Sequence, residues 1–349
     1  MGGSACSPYR GLVDQFDHLR RADKRLLSEM KDDGVSLDVD NELLVMILDE
    51  LGYARRPPQF ERRTPLYGSM VVPDDRSLIA AGELVELVPL DDLTLEAGRR
   101  FADGRATYLA RMLGDGRVLA SFRRSVQYEA DLVEVQADTG AYIIQRTPLL
   151  GVTRLFTPDS TIEWSGYRWT SRPNARAQLD LLKPFLPQVS SAVLGGVLEL
   201  AVHWLSPGRA GATLVLPGDL GASGLDLQHS QVAPRLSVTT RHHYPALLAA
   251  LYQTDLAALI DEDGRVRRIG VGLQSSAEAD ALVANGTGGG AATWGMRHRS
   301  AARYTYDQPG SVAVVVSEDG PVTVFFRGKP LSECAAGLVP AGVPTAVPG

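Results

Sequence analysis

Beyond Ser171-Arg172-Pro173, which reads as a connector, short apolar runs alternate with helix-length segments. That alternation confines this half of the chain to an α/β fold. Helices are expected over 175–182 and, after Pro184 and Pro187, over 190–205. A strand follows over 211–216, then a helix over 244–252 and paired strands over 256–260 and 266–271. A helix near 299–304 and strands over 312–316 and 322–326 complete a unit of about 150 residues, an ordinary domain size.

Ahead of the connector the pattern is different. Leu12, Phe16, Leu19, Leu26 and Met30 recur at helical spacing, and the helix is expected to end near Gly34. A second helix is expected from Asp40 to Leu51, burying Leu43, Leu44, Ile47, Leu48 and Leu51, before Gly52 and Pro57-Pro58 stop it. From Tyr67 the β-prone runs 84–88, 130–135 and 142–144 are broken by turns at Asp103-Gly104, Asp115-Gly116 and Thr139-Gly140, with a helix expected near 95–101. The alternation through 163–169 predicts a hairpin with an exposed aromatic face. The organisation expected is a helical segment at 1–60, an α+β module at 61–172, an α/β domain at 173–333 and a disordered Ala/Gly/Pro/Val tail at 334–349.

Composition excludes several classes. A formal net charge of -6 argues against a protein that coats nucleic acid. Cys6 and Cys334, each near a terminus, make a poor disulfide framework and cannot form a zinc site unaided. The most apolar stretch, 189–205, is interrupted by Ser190, Ser191, Glu199 and His203, too broken for a membrane span. With no apolar core of the signal-peptide kind in residues 1–10, the expectation is a cytoplasmic protein.

Three elements carry chemistry. The first is Arg297-His298-Arg299, preceded by the loop from Asn285 to Gly290 and by Gly295. Guanidiniums at a helix start offer bidentate bonds to phosphate beside backbone N–H donors, and Ser300 adds a hydroxyl. The bland reading is a solvated basic surface. The second is Asp255, a carboxylate entering an apolar strand, able to hold Mg²⁺ or Mn²⁺ against phosphates or simply to serve as a turn residue. Asp261 and Asp263 read as ordinary turn residues. The third is Arg209-Ala210-Gly211-Ala212-Thr213-Leu214, by itself a turn feeding a buried strand. His242-His243 lack a third ligand nearby and read as helix-edge residues.

In order and spacing, Gly211-Ala212-Thr213-Leu214, Asp255-Leu256-Ala257, Gly295-Met296-Arg297-His298-Arg299-Ser300 and Val316-Ser317-Glu318 resemble the diadenylate cyclase family over some 140 residues. That family shows Gly-Ala-Leu-Ile, Asp-Gly-Ala, Gly-Thr-Arg-His-Arg and Val-Ser-Glu. The resemblance implies a mixed-sheet α/β domain preceded by a smaller α+β, sensor-like module with N-terminal helices. It further implies condensation of two ATP into cyclic di-AMP and two pyrophosphates across a homodimer or higher oligomer, with Mg²⁺ or Mn²⁺ as cofactor. Asp255 would be the metal ligand that helps activate the 3′-hydroxyl. Arg297, His298 and Arg299 would join it in catalysis. Gly211, Ala212, Thr213, Leu256, Ala257, Gly295, Met296, Ser300, Ser317 and Glu318 would contact nucleotide. Leu256 stands where the family has glycine and Met296 where it has threonine, and catalysis is expected to be retained. Residues 1–172 are expected to regulate the cyclase by binding a ligand or partner, or to serve as a dimerisation platform. The competing readings are a catalytically altered cyclase-like domain that senses nucleotide, and a structural protein dominated by its N-terminal module.

Overall fold

The computed structural model describes residues 19–56, 64–73, 78, 84–114, 116–147, 151–218, 224–284, 294–318 and 320–334. Leu12, Phe16, Cys6, Pro57-Pro58, Asp115, the loop 285–290 and the tail 335–349 lie outside them. The chain divides into two compact units, Met1–Ser171 and Arg172–Gly349, each built on a mixed sheet.

In the first unit, helices α1 (Arg21–Asp32) and α2 (Asn41–Arg55) precede strand β1 (Tyr67–Val72). The stripe Leu43, Leu44, Ile47, Leu48 and Leu51 is buried as its spacing requires, sharing one core with Leu26 and Met30 of α1 and with Tyr67 and Ile144 of the sheet. Each such side chain contributes roughly 1.5–3 kcal/mol on burial. β2 (Leu84–Pro89), the short helix α3 (Leu95–Arg99), β3 (Thr107–Met112) and β4 (Arg117–Phe122) follow. Helix α4 (Glu129–Thr139) then leads to β5 (Tyr142–Arg146), β6 (Thr153–Phe156), β7 (Ser160–Trp164) and β8 (Trp169–Pro173). The strand order is β2-β4-β3-β1-β5-β6-β7-β8, with β1 and β3 parallel.

Three sequence expectations are corrected here. The run 130–135 is helical, not a strand, because Leu132, Val135, Gln136 and Thr139 fall on one buried helical face. Glu129 and Asp131 favour its N-terminus, and Gly140 ends it at φ 64°. The aromatic face of the 163–169 hairpin is exposed only at Tyr167, which is 82% open to solvent: Trp169 is fully buried, with Trp164 tilted against it at 5.3 Å. The guanidinium of Arg55 lies 4.0 Å from the Trp164 ring, so a cation covers what alternation alone left open. Finally, Leu19, expected on the first helix, lies ahead of α1, which begins at Arg21.

In the second unit, α5 (Ala175–Leu182) and α6 (Ser191–Glu199) lead into a π-helical stretch, Leu200–Leu205, so the helix expected over 190–205 changes hydrogen-bond pattern partway. After β9 (Ala212–Leu216) come β10 (Leu225–Asp226), β11 (Gln231–Val232), a 3₁₀ turn at Arg241–His243 and α7 (Tyr244–Leu251). β12 (Ala257–Ile260), β13 (Val266–Leu273), α8 (Ala277–Ala284), α9 (Met296–Asp307), β14 (Val312–Val316), β15 (Val322–Phe326) and β16 (Lys329–Cys334) complete it. The order is β10-β13-β12-β9-β14-β15-β16, with β11 also on β13.

Strands β9, β12 and β14 are buried end to end because both sheet faces are covered. Alternate residues split between two cores. Leu214, Ile260, Val312 and Val314 face the helical layer of α6 and α7, whereas Val215, Leu259, Ala313 and Val315 pack with Ala301, Ala302 and Tyr304 of α9. Among the described residues no helix is long and apolar enough to cross a membrane.

Candidate active site

Strand register gathers the site at one end of the second sheet. β9 and β12 run parallel with Thr213 opposite Ala257, so Gly211 and Asp255 precede the same sheet edge. β14 runs antiparallel to β9 with Val316 opposite Ala212, which brings Ser317 and Glu318 to that edge from the other direction. Helix α9 covers one face and begins there. Its first turn starts at Met296 rather than near Arg299, so all of Arg297-His298-Arg299 lies inside the helix.

Arg297 is the hub. Its Nη2 donates to Asp255 Oδ1 at 3.1 Å and its Nη1 to Glu318 Oε1 at 2.9 Å. Its Nε is buried and has no hydrogen-bond partner among the described residues, a costly state for a guanidinium nitrogen. Gly211 makes the position possible: a Cβ there would collide with Arg297 Nη1, and would sit 2.8 Å from its Cζ and 2.9 Å from Glu318 Cγ. The carboxylates it ties are open to solvent, the Asp255 side chain 96% and the Glu318 side chain 72% exposed.

His298 and Arg299 act differently. His298 Nε2 lies 3.2 Å from Thr323 Oγ1, and its ring meets Phe325 edge-on at 5.9 Å. Burial, and then the neighbouring Arg297 charge, hold its pKa below the ordinary histidine value. The imidazole is therefore neutral at neutral pH. Arg299 Nε donates to the Trp294 carbonyl at 2.8 Å, and Trp294 packs edge-on against Phe325, so this guanidinium anchors the start of α9.

The structure gathers Gly211, Asp255 and Glu318 around Arg297, with Ala212, Thr213 and Ala257 on the adjoining strands and Ser317 just beyond β14. Gly295, Ser300 and Met296 belong to the start of α9, where Met296 is 73% exposed. Leu256 is 44% exposed, so its side chain stands at the surface beside Asp255. Thr213 and Ala257 are buried and shape the sheet edge through their backbones. Asp261 is a turn residue: its Oδ1 accepts from the backbone N–H of Asp263 and Arg265. His243 Nδ1 accepts from the Ser237 N–H. Sequence reasoning missed Thr323, whose only signal was a hydroxyl interrupting the apolar strand of β15, and Trp294.

The mixed sheet thus collects a glycine, a carboxylate and an arginine-bearing helix start at one edge of an α/β domain, groups whose chemistry suits phosphate. Comparison agrees. Residues 199–330 match the family model described as DisA bacterial checkpoint controller nucleotide-binding, the DAC domain. Residues 25–172 match that described as Probable sensor domain DACNK. The chain thus carries a DACNK domain followed by a DAC domain, the latter with a diadenylate cyclase-like nucleotide-binding fold. No curated protein matches the chain. Among solved structures it is similar to a hypothetical membrane spanning protein from Bacillus cereus, at 18% identity over 43% of this chain and TM-score 0.30. It spans 66% of that chain, just short of two thirds. It is also similar to a double mutant of DacA from Staphylococcus aureus, at 18% identity over 46% of this chain and 89% of that one, TM-score 0.28.

Proposed function

We propose that the C-terminal unit joins two ATP into cyclic di-AMP with release of two pyrophosphates, the two sites facing each other across an interface between copies of the chain. The observation that carries this reading is Arg297, whose buried Nε lacks a partner among the described residues while its other nitrogens are shared between two exposed carboxylates. Such a guanidinium is ready to exchange a carboxylate for phosphate oxygens, which match its fork. In each half-reaction a 3′-oxygen bonds to the α-phosphorus of the other ATP. The bond from that phosphorus to the bridging oxygen breaks, pyrophosphate departs, and the 3′-hydroxyl proton passes to the Asp255 carboxylate or to water. Arg297 and the N-terminal amides of α9 neutralise and orient the triphosphate, and neutral His298 holds the helix start against β15. Asp255, Leu256 and Met296 stand exposed at the sheet edge, as attack from a second copy's nucleotide requires.

Mg²⁺ or Mn²⁺ fits this donor set. Among the described residues no three His, Cys, Asp or Glu side chains form a cage, and magnesium is commonly held by one or two carboxylates plus phosphates. Asp255 and Glu318 would hold it, and when bound it would neutralise phosphate charge. The N-terminal unit is the ligand-responsive part that regulates the cyclase.

The test is incubation of purified full chain with ATP and Mg²⁺ or Mn²⁺, products being separated by chromatography with mass detection. Cyclic di-AMP with pyrophosphate is the expected result. Bound but unchanged ATP would overturn the cyclase reading in favour of a nucleotide sensor.

A further inference from the structure

The N-terminal unit holds an open cavity of about 700 Å³ lined by residues of α1 and α2 and by Arg99. Its lining contains six arginines and only three carboxylates, Asp23, Glu29 and Asp49. Those carboxylates are already engaged. Arg20 reaches both Asp23, at 2.8 Å, and Asp49, at 2.6 Å; Arg25 and Arg55 share Glu29 at 3.0 and 2.8 Å; Arg99 meets Asp49 at 2.7 Å. Arg21 and Arg56, both exposed, have no partner among the described residues. The uncompensated charge of the cavity is therefore wholly cationic.

The wall behind these groups is rigid. Fully buried Glu50 accepts from Arg99 at 2.8 Å, from Arg111 at 2.7 Å and from the Tyr67 hydroxyl, so Arg99 is fixed from behind. The guanidinium of Arg99 lies 4.5 Å from the centre of the Tyr53 ring, which itself lines the cavity. Gly52 adds open space: a Cβ there would meet nothing within 4 Å. A volume of this size exceeds a bare phosphate and suits a ligand of nucleotide dimensions.

We propose that this cavity binds a small phosphate-bearing anion, with Arg21 and Arg56 as its free guanidinium contacts; the inference deepens the reading of the N-terminal unit as ligand-responsive. Guanidiniums recognise phosphate by paired, charge-assisted hydrogen bonds, and Glu50 holds Arg99 in the cavity wall beside them.

The experiment is hydrogen–deuterium exchange on the full chain, with inorganic pyrophosphate and with GTP as separate probes at physiological ionic strength. Protection of peptides spanning 20–32 and 41–56 is expected, and stronger protection by GTP than by pyrophosphate would assign a base-bearing ligand. The double variant Arg21→Ala/Arg56→Ala is expected to bind at least ~10-fold more weakly, two charge-assisted bonds being lost. It should keep its ligand-free melting temperature, since neither side chain has a partner to lose among the described residues. Protection confined to 296–318 reports the cyclase cradle alone and overturns the proposal, as does protection of 20–56 that persists in the double variant. Absence of protection in 20–56 with both probes overturns it whatever the product assay shows.

Discussion

Gly211 and Arg297 stand so close that no side chain fits between them: a methyl group on Gly211 would lie 2.8 Å from the Arg297 Cζ. The glycine is thus the floor beneath the guanidinium that links Asp255 to Glu318. Gly211→Ala is expected to displace Arg297 and reduce kcat/KM for ATP by on the order of 100-fold, the cost of a misplaced positioning group. Steady-state kinetics check this, and an unchanged kcat/KM would show that Arg297 need not sit there.

Asp255→Asn removes one charge from a side chain that is 96% exposed. Stability should move by no more than ~0.5 kcal/mol, as for surface substitutions, while cyclic di-AMP formation is abolished. Product assay and thermal melting on the same sample separate the two effects. Retained turnover would remove Asp255 from metal binding and proton transfer.

Arg297→Ala deletes the group whose buried Nε has no partner among the described residues. The expected outcome is ATP affinity weakened by ~10-fold or more, the loss of charge-assisted bonds to phosphate. Equilibrium dialysis with a non-hydrolysable ATP analogue reads this, and unaltered affinity would take Arg297 out of the cradle.

The pH dependence follows from His298, whose folded pKa lies below the ordinary value of 6.5 because of burial and then Arg297. Between the folded value and 6.5 the unfolded chain binds more protons than the folded one, so stability falls as pH drops through that window and is complete above it. Urea denaturation from neutral pH to about pH 5 should show the loss in the native chain and a flatter profile in His298→Gln. Identical profiles would mean that other groups govern acid sensitivity.

Glu50→Gln leaves Arg99 and Arg111 with one fewer buried charge and weakens the acceptor of the Tyr67 hydroxyl. Breaking such a pair costs roughly 3–5 kcal/mol. Exchange protection of the α2 amides, a readout of that unit alone, is expected to collapse correspondingly. Undiminished protection would show that Asp49 alone suffices to hold Arg99.

Much was legible in the residues themselves. The Leu43 to Leu51 stripe, the buried runs 212–216 and 312–316, and the turn at Gly140 follow from periodicity and backbone freedom, which are local properties. The motifs holding Gly211, Asp255, Arg297 and Glu318 each read as a turn or a surface cluster by themselves, and only their resemblance to the diadenylate cyclase family joined them into one chemistry. Tertiary structure decided the rest. Trp169 is buried because α2 brings Arg55 over the hairpin, a contact across more than a hundred residues that alternation cannot encode. Glu50, on a helix face that its periodicity marks as apolar, meets its arginines only when α3 and β3 pack beside it. The union of Asp255, Arg297 and Glu318 likewise depends on parallel β9 and β12 beside antiparallel β14, because only that register brings two strand starts and one strand end to a single edge.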